Sequence, residues 1–189
     1  MNLTNISVDI LKTDEDLIAH EKALFRNFHA TYPDYSRCFF TLLDKNRLRP
    51  IIPYESQVIY GIKYTGMLLC AGSFCIDPSQ RYEIEEMGFK IDKSESVCEG
   101  LHLYSTLTQT INLNIEIYRK LLSFAFNDLL KRKINTIYSS CSGRLKKLYR
   151  YVGFSVIDEI MFFNEREYLL KMEITPDFEK AVFNLERIK

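Results

Sequence analysis

The segment SGRLKKLYRYVGFSVIDEI, residues 142–160, changes character at a single glycine. Before Gly153, apolar and aromatic residues are interleaved with cations, and no acidic residue interrupts them. After Gly153, apolar residues alternate with polar ones, which is typical of a strand. We therefore predict a short helix over residues 143–153, closed by Gly153 in a left-handed conformation, and then a strand.

The elements that precede this segment predict a parallel pair of strands. Residues 97–105, VCEGLHLYS, and 135–142, NTIYSSCS, have strand character. Between them, residues 112–133 form the strongest helical pattern of the chain, with Ile117 and Leu121 at helical spacing. A strand, a crossover helix and a neighbouring strand imply locally parallel pairing.

Hairpins are predicted on either side of this parallel pair. Residues 56–64 and 67–77 are apolar runs around the turn Thr65-Gly66, and residues 154–163 and 167–175 are a second such pair around 164–166. Hairpins require antiparallel neighbours, so the sheet is predicted to be mixed and mostly antiparallel, with flanking helices in an α+β fold.

The remaining segments give simpler expectations. A first strand over residues 5–13 is followed by a helix over 14–32, which Thr13 caps and Pro33 ends. Residues 34–53 are expected to be irregular, with a short helix around 39–44, and residues 81–96 are expected to be a surface loop.

The C-terminal residues 177–188 can form an amphipathic helix. No linker or repeat divides the 189 residues, so we expect one domain over 1–189 in which 177–189 is the C-terminal helix.

Composition excludes several classes of protein. Hydrophobic residues make up 47% of the chain and charged residues 26%, which excludes a disordered protein. Lys plus Arg equals Asp plus Glu, 25 each, so the surface as a whole is not expected to attract nucleic acid. The sequence begins without a signal arrangement and has no apolar run long enough to span a bilayer, so a cytoplasmic protein is expected.

The five cysteines point to no metal site. They are odd in number and widely spaced, and no pair of metal-ligand spacing occurs among them. We expect reduced thiols, with Cys70 and Cys75 buried in an apolar strand, and no bound metal.

The stretch LYRYVGF, with Leu148, Tyr149, Gly153 and Phe154, resembles the end of the last conserved helix of the GNAT acyltransferase superfamily, Leu-Tyr-x-x-x-Gly-Phe. The predicted order of elements is similar to that fold as well. This resemblance implies an enzyme that transfers an acyl group from a pantetheine thioester to the amine of a small molecule. Acyl-CoA or acyl carrier protein would be a co-substrate, and no permanently bound cofactor is implied.

The resemblance also implies where the donor binds. In that fold, strands corresponding to 97–105 and 135–142 splay apart around the thioester arm, and the pyrophosphate rests on backbone N–H groups at the start of the long helix. The implied donor-binding residues are Leu103, Ser105, Leu113, Asn114, Arg119, Ser142, Arg144 and Lys147.

At the phosphate-binding loop the sequence departs from the family pattern. The family carries Gln/Arg-x-x-Gly-x-Gly/Ala there, whereas residues 105–122 contain no glycine, and Glu116 and Tyr118 stand where small residues are usual. Either other groups hold the donor phosphate, or the donor or the activity differs within the same fold.

The block of residues 37–105, with LLDKNRLRP before the first hairpin and CEGLHLYS at its end, resembles N-acyl amino acid synthases and acyl-homoserine-lactone synthases. Those relatives take long acyl chains from acyl carrier protein and have a glutamate followed three residues later by arginine. Glu99 matches the acid, whereas His102 stands in the position of the arginine.

Two residues are candidates for the proton transfers of thioester aminolysis. Glu99, on a central strand, could accept the proton of the amine, and its alternative is a carboxylate that faces solvent at a strand end. The resemblance makes Tyr149 the proton donor to the leaving thiolate, and its alternative is a packed tyrosine with a hydrogen-bonded hydroxyl. His102 could relay a proton or contact the substrate. The favoured alternative is a packed or exposed side chain, because His102 falls outside the alternation that places Glu99 and Leu101 on one face, and Tyr151 is expected to pack.

Cations are concentrated between residues 115 and 155, which contain nine Lys and Arg residues but only two acidic residues. Macrodipole stabilisation explains the run KRK at the end of the long helix, and a solvated face is an ordinary alternative. The phosphates of coenzyme A or the acidic face of a carrier protein would also complement such a surface. A non-catalytic binding or regulatory module and, less favoured, a nucleic-acid-binding protein remain alternatives, and the oligomeric state is left open.

Overall fold

The computed structural model describes residues 6–106, 111–176 and 178, and for 111–115 it gives the backbone alone. Within this range the helices are α1 (Asp14–Leu24), α2 (Pro33–Phe39), α3 (Glu83–Glu86), α4 (Ile111–Lys131) and α5 (Lys146–Val152). The strands are β1 (Ile6–Ile10), β2 (Phe40–Asp44), β3 (Arg47–Pro50), β4 (Gln57–Tyr64), β5 (Met67–Cys75), β6 (Val97–Ser105), β7 (Thr136–Ser142), β8 (Ser155–Phe162) and β9 (Glu165–Glu173). The helix predicted over 177–188 lies outside the described residues, apart from Phe178.

Seven strands form one sheet in the order β1-β4-β5-β6-β7-β9-β8. Strands β6 and β7 are parallel, whereas β1 with β4, β7 with β9 and β8 with β9 are antiparallel. The sheet is therefore mixed and mostly antiparallel, which confirms the predicted α+β class. The strand–helix–strand order β6, α4, β7 supplies the parallel pair, as the sequence predicted.

Residue contacts divide the chain into two compact units. Unit 1 comprises Met1–Phe74 and His102–Phe124, and unit 2 comprises Cys75–Leu101 and Ala125–Lys189. Strand β6 contributes its first half to unit 2 and its second half to unit 1. Each unit has its own buried apolar core.

The core of unit 1 includes the fully buried side chains of Leu24, Tyr60, Ile62 and Leu121. The turn Thr65-Gly66 between β4 and β5 has φ values of 47° and 84°, so both residues are left-handed, as two-residue hairpin turns require. This confirms the predicted first hairpin.

Helix α1 begins as predicted but ends differently. The hydroxyl of Thr13 accepts the N–H of Asp16 at 3.2 Å, and three acids occupy the first turn, which the helix dipole favours. The chain then continues through a π-helical turn, Phe25–His29. Pro33 was expected to end the first helix, but it is the first residue of α2. Proline is tolerated there because the N–H groups of the first helical turn have no acceptor within the helix.

The segment that was predicted to be irregular contains a second sheet. Strands β2 and β3 pair antiparallel, with Phe40 opposite Pro50 and Thr41 opposite Arg49. The prediction of a short helix around 39–44 is therefore wrong, because residues Phe40–Asp44 form β2. The helix of this segment lies earlier, over Pro33–Phe39.

In unit 2, the core includes the buried side chains of Phe126, Leu129, Ile137, Leu169 and Leu170. Phe126 packs edge-on against Phe178, with ring centroids 5.2 Å apart.

Two predictions for unit 2 need correction. The predicted loop over residues 81–96 contains helix α3, and its Tyr82 and Ile84 are buried. The turn between β8 and β9 consists of Phe163 and Asn164, with φ values of 46° and 64°, and not of residues 164–166.

Helix α5 ends as the sequence predicted. Gly153 has φ 104°, its N–H donates to the carbonyl of Arg150 at 3.1 Å, and the N–H of Phe154 donates to the carbonyl of Tyr149 at 3.1 Å. These bonds satisfy the last carbonyls of the helix. The chain can then turn directly into β8.

A fully buried histidine lies in unit 1. His20 on α1 is inaccessible to solvent, and its Nδ1 lies 2.7 Å from the hydroxyl of Tyr104 on β6. Burial, with a smaller contribution from His102, lowers the pKa of His20 to about 3, so the folded protein keeps this ring neutral.

Replacing Gly153 by alanine should lower the free energy of unfolding by about 1–2 kcal/mol, because a Cβ is strained at φ 104°. Chemical denaturation monitored by circular dichroism would measure this loss. Gly143→Ala is the control, since its new methyl group would meet only Tyr168 at an ordinary 3.7 Å. Equal losses in the two variants would contradict the role of Gly153.

His20→Gln should reduce the fall in the free energy of unfolding that the wild type shows between pH 7 and pH 5. The unfolded chain binds a proton at His20 below pH 6.5, whereas the folded chain does not until about pH 3, so stability falls as the pH drops through this window. At pH 5, protonation of His20 in the unfolded chain should lower the free energy of unfolding of the wild type by about 2 kcal/mol relative to neutral pH.

Thermal unfolding between pH 7 and pH 5 checks this expectation. The matched control is His29→Gln, because His29 is exposed and follows the same helix. A wild-type pH dependence in His20→Gln would show that His20 is not the group responsible.

Candidate active site

In unit 2, the predicted base Glu99 is buried, with 1% of its surface exposed. Its Oε2 accepts the backbone N–H of Glu83 and its Oε1 accepts that of Ile84, each at 2.9 Å. The alternative of a strand-end carboxylate facing solvent is therefore wrong. Glu99 joins β6 to the first turn of α3.

Some of the groups around Glu99 raise its pKa and others lower it. Burial and the nearby carboxylate of Glu83 raise the pKa of Glu99 well above its usual range, while the two N–H donors act to lower it. A carboxylate with a raised pKa takes up a proton more readily than an ordinary one does.

The segment that Glu99 anchors is also held by Lys93. The ammonium group of Lys93 donates to the carbonyl of Gln80 and to the carboxylate of Glu85, both at 2.8 Å, and lies 4.9 Å above the ring of Tyr82. Glu85 in turn accepts the N–H of Tyr82 at 2.9 Å. Sequence reasoning missed this cluster, because its members are separated by a segment that reads as a polar loop.

Further along unit 2, Ser142 and Tyr149 are linked through the start of α5. The carbonyl of Ser142 accepts the N–H of Leu145, and the carbonyl of Leu145 accepts the N–H of Tyr149, each at 3.0 Å. The Tyr149 ring packs edge-on against Phe154 at 5.4 Å. Four of the predicted residues therefore lie on one short segment, from the end of β7 into α5: Ser142, Arg144, Lys147 and Tyr149.

The cations of this region are mostly exposed. Arg144, Lys147 and Arg150 are exposed, and none of them pairs with an acid in the part of the chain that the structure describes. Lys146 differs, because its ammonium group lies 3.8 Å above the ring of Tyr168 on β9. The end of β7 and α5 therefore presents an unneutralised positive surface.

A carboxylate that the sequence did not single out lies beside this surface. Glu167 on β9 is half-buried and stands opposite Ser142 in the β7/β9 register. Burial, with a smaller contribution from Glu165, raises the pKa of Glu167 to about 7. The position of Glu167 beside Ser142 follows from the register of β7 and β9, which the sequence alone does not reveal.

Three of the predicted donor-binding residues in unit 1 have described side chains. Leu103 is half-buried, and the hydroxyl of Ser105 donates to the carbonyl of Leu69 at 3.5 Å. Arg119 on α4 lies 3.9 Å from the carboxylate of Glu116. For two further donor-binding candidates of the same unit, Leu113 and Asn114, the structure gives no side chain, and residues 107–110 of the predicted phosphate-binding loop over 105–114 lie outside the described residues.

His102 is packed, which was one of its two predicted alternatives. Its ring lies 4.7 Å from that of Phe40 and 5.6 Å from that of Phe28, and its Nδ1 is 3.2 Å from the hydroxyl of Ser73. The backbone N–H of His102 also donates to Ser73, at 3.3 Å. His102 therefore belongs to a buried aromatic cluster of unit 1.

A second buried acid, Glu21 on α1, has four donors. Its Oε2 accepts Nε and Nη2 of Arg47, and its Oε1 accepts Nε of Arg49 at 2.7 Å and the hydroxyl of Tyr54 at 3.1 Å. These bonds, led by that from Arg49, outweigh the effect of burial and lower the pKa of Glu21. The alternation of Arg47 and Arg49 on one face of a strand was the available signal.

The described part of the chain contains no group of three or more His, Cys, Asp or Glu side chains placed to hold a metal ion. None of its helices combines the length and apolar character that crossing a membrane requires. All five cysteines are free thiols, and Cys70, Cys75, Cys98 and Cys141 are buried.

The sequence of this chain matches no protein-family model and no curated protein. Its structure does match solved ones. The acyl-homoserine-lactone synthase LasI superposes with a TM-score of 0.75 at 14% identity, over 94% of this chain and 94% of LasI. FeeM, an N-acyl amino acid synthase from uncultured soil microbes, superposes with a TM-score of 0.65 at 13% identity, over the full length of both chains.

A putative acetyltransferase of the GNAT family from Desulfovibrio desulfuricans is also similar, with a TM-score of 0.59 at 11% identity, over 90% of this chain and 99% of that one. These likenesses extend over almost the whole chain, including the first half, where the sequence offered only the order of elements. The chain therefore has the GNAT-like fold, in the form that it shares with acyl-homoserine-lactone synthases and an N-acyl amino acid synthase.

Proposed function

We propose that this chain is an N-acyltransferase that moves an acyl group from a pantetheine thioester, acyl-CoA or acyl carrier protein, to the amine of a small molecule such as an amino acid. The observation that carries the proposal is the whole-chain likeness to LasI, a synthase of acyl-homoserine lactones, at a TM-score of 0.75. The likeness to FeeM, an N-acyl amino acid synthase, supports the same class of reaction.

The reaction needs two proton transfers. The amine nitrogen attacks the thioester carbonyl, an amide bond forms, the carbon–sulfur bond breaks, and the pantetheine sulfur leaves as a thiol. A base must accept the proton that the amine loses, and an acid must protonate the sulfur. Much of the remaining rate enhancement comes from holding the two substrates in line.

Tyr149 is the proposed acid. A phenol remains protonated at neutral pH, so it can donate to a thiolate as the carbon–sulfur bond breaks. Its backbone is fixed by the bond to Leu145, and its ring packs against Phe154, which limits the positions of the hydroxyl. The exposed cations Arg144 and Lys147 on the same short segment suit the phosphates of the donor or the acidic face of a carrier protein.

Glu99 is the proposed base. Each of its oxygens accepts one backbone N–H, and a carboxylate oxygen has a second acceptor direction through which a proton could arrive directly or by way of a water molecule. Burial and Glu83 raise the pKa of Glu99, which makes its ionised form a stronger base than an ordinary carboxylate. The two bonds to α3 would keep the carboxylate in place during the transfer.

One observation favours a second function, a binding module without catalysis. The stretch 105–122 has no glycine, and Glu99 has a complete structural role in holding α3. A module of this kind would bind a thioester and release no thiol.

Tyr149→Phe should reduce kcat by about 100-fold or more, because the donor of the leaving-group proton is lost while the packing ring is kept. Release of free thiol from acetyl-CoA, long-chain acyl-CoA and acylated carrier protein, each with a panel of amines, measures the rate. The matched control is Tyr151→Phe, on the same helix, which should keep wild-type turnover. Equal rates for the wild type and Tyr149→Phe would remove Tyr149 from the mechanism.

Glu99→Gln should lower both turnover and stability. A glutamine accepts one of the two backbone N–H groups but turns its own NH₂ toward the other, and an unsatisfied buried donor costs about 1–3 kcal/mol. Stability is read by chemical denaturation and turnover at a temperature where the variant is folded. Glu86→Gln is the control, since Glu86 lies on the same short helix and pairs with Arg81 near the surface. Normal turnover by folded Glu99→Gln would restrict Glu99 to its structural role.

A further inference from the structure

In unit 1, the guanidinium group of Arg49 is held from one side. Its Nε donates to Glu21 at 2.7 Å, and its central carbon lies 6.0 Å from the centre of the Tyr54 ring. The side chain is nevertheless 49% exposed. Among the described residues, Glu21 and, with a smaller effect, the hydroxyl of Tyr54 are its polar partners, and both raise the pKa of the guanidinium group. Neither terminal nitrogen, Nη1 or Nη2, donates to a carboxylate or carbonyl of the described residues, so the half-exposed end of Arg49 can still donate to a ligand.

The neighbouring Arg47 is arranged differently. Three of its nitrogens are engaged, because Nε and Nη2 donate to Glu21 and Nη1 donates to Asp44 at 3.3 Å. Its side chain is only 21% exposed. Arg47 therefore lies between two acids, while Arg49 shares one oxygen of Glu21 with the hydroxyl of Tyr54.

Glu21 makes this arrangement rigid. Its side chain is 1% exposed and its pKa is lowered, so it stays charged at neutral pH and fixes the Nε side of Arg49. A long side chain usually loses conformational freedom when it binds a ligand, and here part of that loss has already occurred on folding.

Thr41 adds a third donor at the same place. It stands directly opposite Arg49 in the β2/β3 register and is exposed. Residues opposite each other in an antiparallel pair have Cβ atoms about 4.5–5.5 Å apart. The hydroxyl of Thr41 and the half-exposed end of Arg49 can therefore reach one small anion.

We propose that Arg49 and Thr41 form a carboxylate-binding subsite, which selects acceptors that carry a carboxylate beside their amine. The proposal rests on the proposed function, and it narrows the acceptor from amines in general to amino acids. A planar guanidinium edge with two parallel N–H donors matches the two oxygens of a carboxylate. Two oxygens of a phosphate can accept from the same pair of N–H donors, so a phosphate of the donor is the competing occupant.

Steady-state kinetics with standard L-amino acids and the corresponding amino acid amides tests the subsite. Arg49→Gln should raise the KM for the acids by about 10-fold or more and leave the KM for the amides unchanged. Arg49→Lys, which keeps the charge but not the fork, should give a smaller increase, and Thr41→Val a smaller one again. The control is Arg37→Gln, a highly exposed arginine on α2 that pairs only with Asp34 among the described residues.

The donor arm of the experiment identifies the competing occupant. If Arg49→Gln raises the KM for acyl-CoA more than for acyl-dephospho-CoA and leaves that for the acids unchanged, the half-exposed end of Arg49 binds phosphate and the proposal is overturned. Equal KM values for the acids in Arg49→Gln and Arg37→Gln also overturn it. Thermal unfolding of each variant verifies that loss of Arg49 from the Glu21 cluster leaves the protein folded.

Equilibrium binding separates this proposal from the proposed function. Calorimetry of the protein with amino acids alone needs no donor and no turnover. Binding of acids, but not of amides, that is lost in Arg49→Gln supports the subsite even if no acyl transfer is found. Turnover of amino acids that is insensitive to Arg49 and Thr41 would uphold the acyltransferase and refute the subsite.

Discussion

Strand β6 brings three polar side chains into the interior, and each must find a partner there. An unpaired buried polar group costs several kcal/mol, so the fold has to supply hydrogen bonds to all three. Glu99 receives two N–H groups from α3, His102 contacts Ser73 on β5, and Tyr104 contacts His20 on α1. The segments that supply these partners are thereby positioned by one strand.

The same requirement explains how the two candidate regions acquire order. In unit 2, Glu99 and Lys93 fix a long polar excursion, and the end of β7 leads into the basic helix α5 with Tyr149. In unit 1, Glu21 fixes the hairpin of β2 and β3 through Arg47 and Arg49. In both units a buried carboxylate holds a segment that the sequence predicted to be irregular or a loop.

Local signals in the sequence predicted much of the fold. The glycine in LYRYVGF marked the end of α5, and Thr65-Gly66 marked the first hairpin, because left-handed backbone is specified by a few residue types at fixed positions. The sequence could not predict β2, β3 or α3. The β2–β3 hairpin depends on bonds from Arg47 and Arg49 to Glu21, more than 25 residues away. Helix α3 spans only four residues and is capped by Glu99 from another strand. For the same reason the Glu21 cluster and the position of Glu167 beside Ser142 were visible only in the structure.

The central claim is that the chain joins an acyl group to an amine, and the mass of its product tests this most directly. The protein would be incubated with standard amino acids together with either long-chain acyl-CoA or acylated carrier protein, in parallel reactions. The products would be analysed by mass spectrometry. We expect a species with the mass of the acyl acid plus the amino acid less one water, and one free thiol released for each molecule of this product. Release of thiol with only the free fatty acid as product, or no release from any donor, would contradict it.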